Sequence, residues 1–293
     1  MLAKVLSLKL PSSYLWLVIP VFAVVLLVVA LFITGTISIT GEQVTSFVSS
    51  DFALYLLVGL AAQLVDGALG MAYGVTSNSF LLTLGVSPAI SSASVHFAEI
   101  FTTGASAVSH FRFKNINKKL FKSLLIPGVI GSIVGAYLLS DVIDGNFIKP
   151  FIAFYMLILG VIIIRKAIQK NLVKNKTKNI SILAAAGGFL DSIGGGGWGP
   201  IVTSSLLGQG RDPRYTIGSV NAAEFAVAFA SGITFMLFNG ISNWQVVLGL
   251  IVGGVIAAPF GALLVGKIKR KPLMLTVGIL VIALSIRTIW TSL

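Results

Sequence analysis

The chain has no cysteine among its 293 residues, which excludes disulfides, thiolate metal sites and thiol redox chemistry. Charge is nearly as scarce. Asp, Glu, Lys and Arg make up 10% of the residues, and only nine are acidic; soluble domains carry roughly 25% charged residues. Histidine occurs twice, as His96 and His110, and neither falls at a metal-ligand spacing with two further donors, so no metal and no cofactor is expected. The glycine run at 194–197 continues as Trp-Gly-Pro instead of Gly-Lys-Ser/Thr, so it is not a phosphate-binding P-loop.

What the chain does have is apolar sequence, with 56% hydrophobic residues and a mean hydropathy of +0.99. Stretches of about 20 apolar residues recur along it, each long enough to cross a hydrocarbon core as a helix. A β-barrel needs alternating strands of roughly 10 residues, whereas Leu15 to Phe32 and Val246 to Val265 are apolar on every face. The expected fold class is an all-α polytopic membrane protein in contact with the lipid bilayer. The net charge of +12 does not point to nucleic acid, because the basic residues sit in short loops between apolar segments, where they set topology. Lys4 and Lys9 precede an apolar core too long for a signal peptide, and no small-residue cleavage pattern follows, so a retained helix over roughly 13–36 is expected.

The organisation comes from an internal repeat. Residues 66–128 align with 191–253 without a gap at a constant offset of 125, with 19 of 63 positions identical. The matches include Asp66 with Asp191, Gly70 with Gly195, Gly74 with Gly199, Ser79 with Ser204, Pro88 with Pro213 and Glu99 with Glu224. Shared apolar composition would align leucines and alanines but would not hold Asp, Pro and Glu in register, so the reading is duplication. Each copy is predicted as a short segment, a Gly-rich break, a second short segment and three long helices. The first copy runs 52–66, 70–84, 89–111, 121–140 and 147–165; the second 180–190, 196–208, 214–238, 244–266 and 272–290.

The two short segments return the chain to the face it left, so each copy crosses an odd number of times and the second copy is inverted, as in many secondary transporters. The expected organisation is an N-terminal transmembrane helix and external loop over 1–51, repeat 1 over 52–168, a basic cytoplasmic loop over 169–179 and repeat 2 over 180–293. With the N-terminus cytoplasmic, 19 of the 21 Lys and Arg residues fall inside and the C-terminus lies outside, which fits the positive-inside rule for a bacterial inner membrane.

Four carboxylates lie at or inside the apolar segments: Asp66, Glu99, Asp191 and Glu224. Charge at membrane depth is costly, so each is a candidate for function. Glu99 sits on a polar stripe with Ser92, His96, Thr103, Ser106 and His110; its counterpart keeps Asn221, Glu224 and Ser231. Glu99 and Glu224 read either as protonatable gates or as neutral groups that lock helix packing. His96 stands one turn from Glu99, but Asn221 replaces it in the second copy, so a symmetric proton relay is not supported; His110 reads as interfacial.

Asp66 and Asp191 read as caps or hinges for breaks whose freed amides suit an anion. Candidate substrate contacts are Gly70, Tyr73, Gly74, Ser77, Asn78 and Ser79 in the first copy and Gly195, Gly196, Gly197, Trp198, Gly199, Thr203 and Ser204 in the second, with His96 and Asn221 beside them. Small-residue packing is the alternative for the hydroxyls, and interfacial anchoring for Tyr73 and Trp198. No basic residue lies centrally in a predicted segment, so amides and hydroxyls would bind the anion.

The Asp-Gly-x-x-Gly-x-x-x-Gly break at Asp66, its Gly-rich echo at Asp191, the turns at Pro88 and Pro213, and the glutamates within the apolar segments resemble the sulfite exporter (TauE/SafE) family of anion permeases over roughly residues 52–291. The resemblance implies a bacterial inner-membrane permease for a small anionic substrate such as sulfite, sulfoacetate or another sulfonate. A cation transporter or channel with the carboxylates as ion ligands is the second reading. An intramembrane hydrolase is the third, and it lacks a nucleophile elbow with a base partner. Oligomeric state, homodimer or otherwise, has no sequence signature here.

Overall fold

The computed structural model describes residues 50–69, 71–112, 114–169, 179–240, 244–264 and 270–292. The expected helix over 13–36 and nearly all of the basic loop lie outside them. Among the described residues the chain is helical throughout, with no strand. The first half holds α1 (Ser50–Leu69), α2 (Tyr73–Thr83), α3 (Pro88–Arg112), α4 (Lys118–Tyr137), which continues as a π-helical turn (Leu138–Val142), and α5 (Gly145–Ile168). The second holds α6 (Ile180–Gly194), a π-helical turn (Gly199–Thr203) that runs into α7 (Ser204–Gly208), α8 (Pro213–Asn239), α9 (Trp244–Leu264) and α10 (Arg270–Ser292).

Local chemistry places these ends. Pro88 and Pro213 open the long helices α3 and α8, where a missing N–H costs nothing. Asn117 caps α4 by accepting from the Leu120 amide at 3.0 Å, and Asp144 caps α5 by accepting from Asn146 and Phe147. Gly195 ends α6 at φ 68°, a left-handed conformation that favours glycine.

Among the described residues four helical stretches are long and apolar enough to cross a membrane: Lys118–Val142, Gly145–Ile168, Tyr215–Asn239 and Lys271–Ser292. The helix α3 has the length, at 25 residues, but not the apolarity, because its sequence carries His96, Glu99 and a run of Ser and Thr. Those groups are buried within protein. Polar side chains line the interior, including Gln63, Asn78, Ser91, Ser92, His96, Glu99, Thr103 and Asp191, while Phe147, Phe151 and Phe154 of α5 and Ile126 and Ile130 of α4 face outward. A polar interior beneath an apolar exterior is the arrangement expected where the solvent is lipid.

The two halves interlock. Helix α1 packs chiefly on α9, and α6 chiefly on α4, so the first helix of each half lies against the fourth of the other; α3 pairs with α8 and α5 with α10. Close backbone approach makes these contacts. A methyl on Gly131 of α4 would fall 2.1 Å from the Ala185 carbonyl oxygen of α6, and one on Gly253 of α9 would fall 2.1 Å from that of Leu56 on α1. Small residues allow this proximity, and with it dense packing where lipid supplies no hydrophobic drive. Helices α2 and α6, with 11 and 15 residues, rise only about 16 and 22 Å, so their ends stop within the protein. Both breaks are therefore enclosed.

Candidate functional site

The two Gly-rich breaks, distant in sequence, meet backbone to backbone. A methyl on Gly196 would stand 2.3 Å from the Gly74 carbonyl carbon and 2.4 Å from the Val75 nitrogen. One on Gly199 would stand 2.9 Å from Cβ of Met71. The offset of 125 converts Gly74 into Gly199 and Met71 into Gly196, so the two contacts are exchanged versions of one another. Gly195, Gly196 and Gly197 all have positive φ, and in the first break Ala72 takes φ 110° where its counterpart is Gly197. A non-glycine residue in that region is strained, a feature that concentrates at functional sites.

The aspartates that open the breaks do matching work. Tyr73 donates its backbone N–H to Asp66 Oδ1 at 3.3 Å, and Trp198 donates its own to Asp191 Oδ1 at 2.9 Å. Each carboxylate thus satisfies an amide that the break would otherwise orphan. Asp191 does more: its Oδ2 meets His96 Nε2 at 3.1 Å, with both side chains buried. Helix α3 is fastened to the end of α6 a second time by Ser92, whose hydroxyl donates to the Ser192 carbonyl at 2.5 Å. Asn78 on α2 donates to the Gly194 carbonyl and accepts from the Ser91 hydroxyl, a third tie across the breaks.

Glu99 is buried beside this junction. Its Oε1 would lie 2.9 Å from a methyl on Gly74, and its Oε2 has no hydrogen-bond partner. Glu224, its repeat partner, is half-buried, and Asn221 is buried near it on α8. Donor atoms of His96, Glu99 and Asp191 come within 4.8 Å of one another, the only such group among the described residues. No sequence spacing announces it, since one member comes from the second half of the chain. The direct His96–Asp191 contact is a hydrogen bond, which occupies the two atoms that would face an ion.

Tyr73 and Trp198 are both buried, at 3% and 0% exposure, and this removes the interfacial-anchor alternative. Their polar atoms are engaged: Tyr73 donates its hydroxyl to the Leu250 carbonyl at 3.3 Å, and Trp198 its indole N–H to that of Val220 at 3.3 Å. Several hydroxyls near the breaks are buried without a hydrogen-bond partner, those of Thr76, Ser79, Thr203 and Tyr155 among them. The Ser77 hydroxyl, near Tyr73, is likewise buried without a partner, whereas the Ser204 hydroxyl donates to the Met71 sulfur at 3.6 Å. Gly70 and the Ser106 side chain lie outside the described residues.

Two residues at the breaks escape a sequence reading. Tyr155 of α5 points at Gly197, where an added methyl would fall 2.0 Å from the hydroxyl oxygen; it sits in the apolar middle of that helix and carries no signal. Lys166 falls just past the expected segment 147–165, yet its ammonium donates to the Ser204 carbonyl at 2.8 Å. A charge in the last turn of α5 could have been followed back along that helix. His110 keeps to the end of α3, in contact with Asn115.

Comparison with known proteins adds the family context. The family described as "Sulfite exporter TauE/SafE" matches residues 55–288. A Bacillus subtilis (strain 168) relative, "Probable membrane transporter protein YtnM", is 42% identical over 246 residues, 80% of this chain and 82% of that one. A second protein of that organism, "Probable membrane transporter protein YunE", is 22% identical over 82% of this chain and 98% of its own. The Arabidopsis thaliana "Sulfite exporter TauE/SafE family protein 3" is 28% identical over 35% of this chain and 22% of its own. No solved structure gives a significant match.

Proposed function

The chain belongs to the sulfite exporter TauE/SafE family, and from that premise we propose that it is a secondary transporter exporting small sulfur-containing anions such as sulfite, sulfoacetate or other organosulfonates. One observation carries this reading beyond family membership. Buried hydroxyls of Thr76, Ser79 and Thr203 lack partners in the segments that flank two touching glycine-rich breaks. Unpaired buried polar groups cost stability, and oxyanion oxygens are the acceptors such hydroxyls and freed amides would serve. The exchange of contacts between positions 125 apart supports two inverted copies around the site, with the N-terminus cytoplasmic and the C-terminus external in a bacterial inner membrane.

Glu99 and Glu224 would couple transport to protons. An inside-negative potential favours anion exit by roughly 2.3 kcal/mol per charge per 100 mV, so export gains from the membrane potential while uptake would need accompanying protons. The test is anion flux in proteoliposomes with and without a pH gradient, following calorimetric screening of sulfite, sulfoacetate, taurine and thiosulfate. Saturable binding and flux of at least one is expected. Proton movement unaltered by Glu99→Gln and Glu224→Gln would remove the coupling role.

A second reading, a cation-coupled transporter or channel with the carboxylates as ion ligands, draws on the unpartnered Glu99 Oε2. Sodium-dependent flux together with no binding of any sulfur anion would select it.

A further inference from the structure

The hydrogen bonds around His96 determine how many protons its contact with Asp191 contains. His96 Nδ1 lies 2.7 Å from the Ser92 carbonyl oxygen, which can only accept. The Ser92 hydroxyl, 3.4 Å from the same nitrogen, spends its own hydrogen on the Ser192 carbonyl. Nδ1 therefore carries a hydrogen, and Nε2 of the neutral ring is a bare acceptor. Facing it at 3.1 Å is Asp191 Oδ2, another acceptor when ionised. Two bare acceptors at hydrogen-bond distance repel each other, so the contact holds one proton, shared between imidazole and carboxyl. Whichever atom carries it, the pair is neutral overall, which suits its burial.

We propose that this single proton is the one the transporter carries, and that it works as a latch between α3 in one half of the chain and the second break in the other. This rests on the transport reading above and assigns its coupling centre. Release moves the proton from the pair to the Glu99 carboxylate. An imidazolium and two carboxylates become a neutral imidazole, one carboxylate and one carboxylic acid, with net charge unchanged. Glu99 is the available acceptor, buried within 4.8 Å with an unpartnered Oε2. Once the proton has left, Nε2 and Oδ2 repel, and α3 is held to the break only by the neutral ties of Ser92 and of Ser91 through Asn78.

The groups that face Asp191 are Glu99 from α3 itself, Tyr155 from α5 and Glu224 from α8, while Asp66 from α1 and Tyr73 from α2 lie near Glu99, and the Phe235 ring of α8 is tilted with its centre 6.0 Å from the imidazole. No cationic side chain is among them. The latch exists once per chain, because the repeat positions of His96 and Asp191 are Asn221 and Asp66, and Asn221 cannot carry a proton. An otherwise duplicated site is thereby given a single coupling proton.

Nitrogen-15 histidine NMR is the direct test, since the chain has only two histidines and His110→Gln leaves one. His96 should show a protonated Nδ1 and an Nε2 in a strong hydrogen bond to a shared proton, whichever atom holds it, and that proton should be lost in Asp191→Asn. A bare Nδ1, or a titration indifferent to Asp191→Asn, overturns the proposal. Asp191 also caps Trp198, so the transport arm uses His96→Asn, which copies the second half. Protons moved per anion should fall toward zero while anion flux down its own gradient persists. An unchanged ratio overturns the latch. If the unaltered protein moves no sulfur anion, the transport reading fails, and the NMR result still decides whether the proton is held.

Discussion

Gly74 and Gly196 touch backbone to backbone, and this contact brings the two halves of the chain together at their breaks. A side chain on Gly196 would collide with main-chain atoms that cannot swing aside, and its φ of 151° resists substitution in any case. Gly196→Ala should therefore destabilise the folded protein by more than about 2 kcal/mol, as overpacking against rigid atoms does. Gly85→Ala is the comparison. It meets nothing within 4 Å and is strained only by its φ of 86°, so about 1 kcal/mol is expected. Thermal unfolding in detergent reads both.

Asp66 and Asp191 are repeat partners with unequal duties. Each accepts from a break amide, but only Asp191 also meets a histidine. An asparagine keeps an acceptor oxygen for the amide, so Asp66→Asn should cost less than about 1 kcal/mol. Asp191→Asn disturbs a buried pair and should cost roughly 2 kcal/mol or more. In combination with His96→Asn the second change should add little, because the partner is already gone. A double-mutant cycle on melting temperature checks this; strict additivity would mean that the two side chains do not interact.

Helix positions are written in the hydropathy of the chain, and the expected segments from 52 onward match the described helices to within a few residues. Segment 89–111, expected as a crossing, is α3, whose polar side chains are accommodated by neighbouring helices. The constant offset of 125 aligns Asp66 with Asp191 and Glu99 with Glu224. Pairing across the halves was not legible. His96 and Asp191 are 95 residues apart, and the sequence offered Glu99, one turn away, as the nearer partner. Side-chain contacts between the two halves depend on how they dock, and no periodicity within one stretch of sequence encodes that.

Ser79 and Thr203 separate a packing role from a binding role. Their hydroxyls are buried without partners, so removing them relieves an unmet demand. Ser79→Ala and Thr203→Val should leave the melting temperature of the empty protein unchanged or higher. If the hydroxyls bind the anion, the same variants should raise KM roughly five- to tenfold, about 1 to 1.4 kcal/mol per lost hydrogen bond. A fall in stability with unchanged KM would assign them to helix packing.

Lys166 is half-buried at the end of α5, with its ammonium on the Ser204 carbonyl, close to the second break yet open to solvent. The hydrogen bond and the charge can be separated. Lys166→Gln preserves a donor and should preserve stability, whereas Lys166→Met removes both and should loosen α7 by about 1 kcal/mol. If the charge draws anions to the break, both variants should weaken apparent substrate affinity two- to fivefold at low ionic strength, and the difference from the unaltered protein should shrink as salt screens the field over about 10 Å or less. An affinity deficit confined to Lys166→Met and indifferent to salt would show that the ammonium only tethers α5 to the short helix. Flux at two salt concentrations therefore tells attraction from tethering whichever substrate is carried.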